Sequence, residues 1–170
     1  MMKYEEEIFN ALLDGDIEEA MKWISEGADI HESTPSDNWT YFHLIFISPS
    51  ELPPLKSIHF LLEQGLDVNA IDDSYGNTPL LYAVRQRNID GIRLLLENGA
   101  DKLIEHENHD GVSALRMGLD SMPLNYDVFE ILLKYGANPD AIIEDGKTVR
   151  QMLSIIAGVP SNIEALFAKY

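Results

Sequence analysis

Apolar residues along this chain fall three and four apart in short runs, each broken by glycine, proline or aspartate. Ile89, Ile92, Leu95 and Leu96 make one such stripe, which predicts a helix ended by Gly99 in the left-handed conformation. Just before it, Thr78-Pro79-Leu80 predicts another helix start. The threonine hydroxyl can accept from a first-turn N–H, and proline at the first helical position gives up an N–H that has no partner there anyway. Ile8, Phe9, Ala11 and Leu12 predict a helix over about Tyr4 to Leu13. After the turn Asp14-Gly15-Asp16, Ile17, Ala20, Met21, Trp23 and Ile24 predict a second. Further stripes predict helices over about Leu55 to Glu63, Tyr126 to Tyr135 and Ser161 to Lys169. Val128, Phe129, Leu132 and Leu133 face inward in the second of these, and Ile163, Leu166 and Phe167 in the third.

None of these runs can bury its own stripe, and the pattern repeats. A helix stop of the form Gly-(Ala/Leu)-(Asp/Asn) recurs at Gly27, Gly65, Gly99 and Gly136, spaced 38, 34 and 37 residues. The hydroxyl residue that opens each first helix recurs at Thr40, Thr78, Ser113 and Thr148, spaced 38, 35 and 35. Two independent landmarks drift around one period, as stacked repeats require.

The stretch from Asp73 to Ala100, with its turn Ser74-Tyr75-Gly76-Asn77, its Thr-Pro-Leu and its paired helices, resembles an ankyrin repeat. The resemblance covers nearly the whole chain. It implies an all-α repeat solenoid of five helix-turn-helix units with β-turn or hairpin tips and divergent end caps. The units are read as 1–34, 35–72, 73–107, 108–142 and 143–170, within a single domain over 1–170. By the same resemblance His43 stands where an imidazole braces neighbouring turns, and Arg116 replaces it two units on, which predicts weaker bracing there. Arg150 stands where the family has leucine, which predicts a partly solvated last helix pair. Asn38 replaces the turn glycine, a substitution that keeps positive φ accessible. Gly118 stands where a small residue lets helices approach closely. Two enlarged loops, 47–54 with three prolines and 120–125 with Pro123, are expected to leave the helical path.

Composition narrows the function classes. The 170 residues hold 12 Lys and Arg against 29 Asp and Glu, a net charge of −17. That balance argues against nucleic acid and an anionic membrane surface as partners, and favours encounter with a basic protein. Through Thr34 there are ten acids against two lysines, a net −8; an end cap needs such a polar outer face. There is no cysteine, which excludes disulfides and thiolate chemistry. No apolar run of about 18 residues predicts a membrane span, and the first residues lack the pattern of a secretion signal; a cytoplasmic protein is expected, taken as a monomer when free.

Candidate chemistry is thin. Gly146-Lys147-Thr148 looks like the end of a phosphate-binding loop, but Ala141 stands where that loop needs its first glycine. His106, His109 and Asp110 lie close in sequence but in a predicted loop, and a structural role is the stronger reading. No cofactor and no catalytic set is expected. What remains is the surface that the family leaves open, a concave face of turn tips and one side of each first helix. In this register the tips offer Asp37, Trp39, Asp73, Ser74, Tyr75 and Asn77, then His109 and Asp110, then Glu144 and Asp145. Ile47, Ser48, Arg85, Gln86 and Asp120 continue it along the helices. Trp39 and Tyr75 are the expected anchors, flanked by a tip row made acidic by Asp37, Asp72, Asp73, Asp110, Glu144 and Asp145. Alanine at either ring is expected to weaken partner capture and leave folding intact. The predicted function is a non-catalytic protein-binding module with a basic partner, in one form an immunity protein that occludes a basic toxin. A host-directed effector and a small hydrolase built on the enlarged loops are the alternatives.

Overall fold

The computed structural model describes residues 5–47, 52–143 and 146–170. Among these residues the chain forms ten α-helices: α1 (Glu5–Asp14), α2 (Ile17–Ser25), α3 (Tyr41–Ile47), α4 (Leu55–Glu63), α5 (Pro79–Gln86), α6 (Ile89–Glu97), α7 (Ala114–Asp120), α8 (Tyr126–Lys134), α9 (Val149–Ile155) and α10 (Ser161–Lys169). One 3-10 turn, Ala100–Leu103, follows α6. The all-α repeat solenoid is what the landmarks predict.

Local chemistry sets the ends. Thr78 accepts from Leu81 N–H with Pro79 inside the first turn of α5. Thr148 and Gln151 form a reciprocal capping box on α9. The four helix-stop glycines take φ values of 99°, 76°, 101° and 97°, and Asn38 takes 55° in place of a glycine. Ser113 departs from expectation: its side chain makes no capping bond to α7.

The helices lie in two layers. α1, α3, α5, α7 and α9 pack in sequence as one layer, and α2, α4, α6, α8 and α10 as the other. A single apolar cluster runs from Ile8 through Phe42, Phe46, Leu80, Ile92 and Phe129 to Phe167. Each pair of helices therefore completes the dry side of its neighbour. At Gly118 an added Cβ would stand 2.9 Å from Cε1 of Phe129, so α7 and α8 meet there at a distance only glycine permits. Arg150 is half-buried at the last pair, where it pairs with Asp140 at 2.8 Å and donates to the carbonyl of Phe167.

His43 is fully buried, and its Nδ1 accepts from the N–H of Thr40 at 3.0 Å. Nε2 therefore carries the proton and faces the carbonyl oxygen of Asn77 at 3.3 Å, across the step to the next unit. Burial pushes its pKa below the ordinary value, against the opposing pull of Asp72. The fold thus favours the neutral ring. Stability from this residue is present above the unfolded pKa of about 6.5 and is lost as pH falls below it. His43→Gln is expected to cost about 1–2 kcal/mol at pH 7 in denaturant unfolding. The advantage of wild type over the variant should shrink between pH 7 and 5; an advantage that grows on acidification contradicts the assignment.

Candidate functional site

The turn tips are built alike from three anchor residues, Thr34, Asp72 and Asn108, spaced 38 and 36 residues. Thr34 Oγ1 accepts from Trp39 N–H at 2.9 Å. Asp72 is buried, and its carboxylate accepts from Tyr75 N–H at 2.7 Å, Asn77 N–H at 3.1 Å and Tyr82 O–H at 3.1 Å. Burial, joined by the charge of Asp72, pushes the Tyr82 phenol up to about 12. Asn108 Oδ1 accepts from Asp110 N–H and Val112 N–H at 3.0 and 2.9 Å.

Adjacent tips are then tied into a row. Asp73 N–H donates to the carbonyl of Asp37 at 2.8 Å, and His109 N–H to the carbonyl of Tyr75 at 2.8 Å. Ser36 and Ser74 both donate to the Asp37 carboxylate, and these hydroxyls hold its pKa below the ordinary value. His106 Nε2 meets the carbonyl oxygen of Gly76 at 2.7 Å, and Asn108 Nδ2 donates to Asn77 Oδ1 at 3.0 Å. The ring of His109 lies so close to Gly76 that a Cβ there would stand 2.6 Å from it.

This geometry sorts the expected surface. Tyr75 is 53% exposed, with its backbone fixed on both sides; Ile71, four residues earlier, is 39% exposed. Asp73, Ser74, His109 and Asp110 are exposed on the same row, and Asp37 is half-buried. Arg85 is exposed but engaged: its guanidinium lies 4.8 Å from the Tyr82 ring centroid and donates to the Ile47 carbonyl at 3.2 Å. Asp120 is exposed and paired with Arg116 at 3.0 Å. Arg116 thus turns to its own helix where His43 bridges to the next unit. Glu144, Asp145 and Ser48 lie outside the described residues.

Four expectations need correction. Asn77 and Gln86 are buried, so neither lies on the open surface. Asp72 does not belong to the acidic tip row, because its carboxylate points inward as the acceptor for its own turn. Trp39 is half-buried against the core, edge-on to Tyr82 with centroids 6.5 Å apart. It packs on α5 of the next unit, and Tyr75 alone of the two rings stands open.

The anchors Asp72 and Asn108, and the tip-linking His106, were missed as a bracing set. Their signal was present in the period, since each precedes its helix start by about the same interval. Among the described residues no cluster of three or more His, Asp or Glu side chains comes together to hold a metal ion. A cleft of about 300 Å³ between α6 and α8 is lined by Arg93, Glu130 and Lys134, away from the tips. No helix of the described residues is long and apolar enough to cross a membrane.

Comparison with known proteins agrees with the repeat geometry. A family model of ankyrin repeats, in three copies, matches residues 8–106. The chain is 34% identical over 141 residues to ankyrin repeat and SOCS box protein 6 of Homo sapiens, covering 68% of this chain and 31% of that one. It is 33% identical over 88 residues to the putative ankyrin repeat protein R664 of Acanthamoeba polyphaga mimivirus, covering 48% of this chain and 51% of that one. It is 32% identical over 112 residues to the putative ankyrin repeat protein FPV018 of Fowlpox virus, covering 63% and 15%. The chain spans about a third of the length of the SOCS box relatives.

Proposed function

This chain belongs to the ankyrin repeat family, whose repeats are protein–protein interaction modules, and on that premise we propose that it grips a basic protein partner along its turn tips and inner helices. The proposal takes residues 1–170 as one stack of five units acting without catalysis, as a cytoplasmic monomer when free. The observation that carries it is the tip row. Tyr75 stands out from a turn fixed by Asp72 inside and His109 outside, so the backbone that carries its ring loses little freedom on binding. Exposed Asp73 and Asp110 flank it, and the net charge of −17 speeds encounter with a basic surface.

In its specific form the partner is a basic toxin, and the module neutralises it by covering its cationic surface. Affinity capture from the native host, read by mass spectrometry, tests the reading. A basic protein retained at moderate salt is the expected result. Recovery of acidic proteins or nucleic acid only would overturn it.

A further inference from the structure

We propose that the tip patch of Ile71 and Tyr75, rimmed by Asp37, Asp73 and Asp110, receives an arginine side chain of the protein partner, stacked on the Tyr75 ring. The inference rests on the protein-binding reading above and names the contact at its centre.

Three observations lead to it. First, the patch is apolar and open: Tyr75 and Ile71, four residues apart at one tip, are 53% and 39% exposed with the described residues all in place. Second, the backbone beneath the ring is already set. Tyr75 N–H is bound by Asp72, and its carbonyl accepts from His109, so the turn carrying the ring is set before any partner arrives. Third, the surroundings select a cation. Residues 1–84 hold 16 acids against three lysines, a net −13, while residues 85–170 hold 13 acids against nine basic residues, a net −4. The Tyr75 tip lies within the acidic half, and the hydroxyls of Ser36 and Ser74 help keep the nearby Asp37 ionised.

An aromatic face with carboxylates at its edge discriminates between the two common cations. Guanidinium is planar and weakly hydrated, so it can lie flat on the ring and still offer its edge donors to the acids. Ammonium is a compact, strongly hydrated charge that gives up more water to stack. An aliphatic side chain would gain from Ile71 and Tyr75 but nothing from the acids. A nucleic acid backbone or an anionic lipid surface is repelled by them.

Calorimetric titration of the whole chain at low ionic strength with oligo-arginine and oligo-lysine peptides of equal length tests this. Oligo-arginine should bind about threefold more tightly. Tyr75→Phe should keep the preference and Tyr75→Leu should abolish it, with melting temperatures showing both variants folded. Equal affinities overturn the inference, as does a preference that survives Tyr75→Leu. So does a neutral leucine-bearing peptide that matches oligo-arginine, or failure of both charged peptides to bind. None of these results bears on whether a basic protein is captured from the host, so the broader reading stands or falls separately.

Discussion

Asp72→Ala is expected to lower the unfolding free energy by about 4 kcal/mol, the largest effect of any single change at the tips. The carboxylate is buried and satisfies two backbone N–H groups and the Tyr82 hydroxyl. Alanine leaves all three donors without their acceptor, two of them in buried bonds and the Tyr75 N–H in a part-buried one, and each orphaned buried group costs about 1–3 kcal/mol. The chain itself keeps part of the turn, because Asp72 N–H still donates to the Asn77 carbonyl and Gly76 N–H to that of Asp72. For a protein of this size the melting temperature should fall by roughly 8–16 °C. Asp72→Asn keeps one of the two acceptor oxygens, sets an amide N–H against the donors the other oxygen served, and should cost about half as much. Thermal unfolding of the three proteins checks the order. A loss under about 1 kcal/mol for Asp72→Ala would mean that the turn does not depend on this acceptor.

Trp39→Ala is expected to cost about 2–3 kcal/mol, contrary to what its place at a tip suggests in the sequence. Complete truncation of a buried aromatic costs about 3–5 kcal/mol, and the ring is half-buried, which reduces the figure. Loss of the edge-on contact with Tyr82 adds about 0.5–1.5 kcal/mol. The indole N–H is buried without a partner among the described residues, and its removal offsets part of the loss. Denaturant unfolding reads the sum. A stability within about 0.5 kcal/mol of wild type would return Trp39 to the surface and make it a second anchor.

Much of the helical frame was legible in the sequence. α4 and α10 begin and end where the apolar stripes place them, and Thr78 and Thr148 cap as their positions predict. The period is visible because each unit must present the same dry face to the next, and that demand writes itself into glycine and threonine positions. The surface was less legible, for a physical reason that Asp72 and Asp73 show together. They are neighbours of identical type, yet one accepts from its own turn and the other faces water. Sequence records the residue type and not the direction of the side chain. The same ambiguity hid the burial of Asn77 and Gln86 and made the two rings, Trp39 and Tyr75, look equivalent. Tertiary contact decided between them: Tyr82 in the next unit takes up Trp39, while Tyr75 is left 53% exposed among the described residues.

The direct trial of the account is partner capture by Tyr75→Ala beside wild type, with the melting temperature of each recorded. Tyr75 is open to solvent and stands outside the core cluster of the described residues, so the variant should melt with wild type while retention of the basic partner falls about tenfold, as loss of a central aromatic anchor implies. A fully folded Tyr75→Ala that holds its partner as firmly as wild type would contradict recognition through the tips.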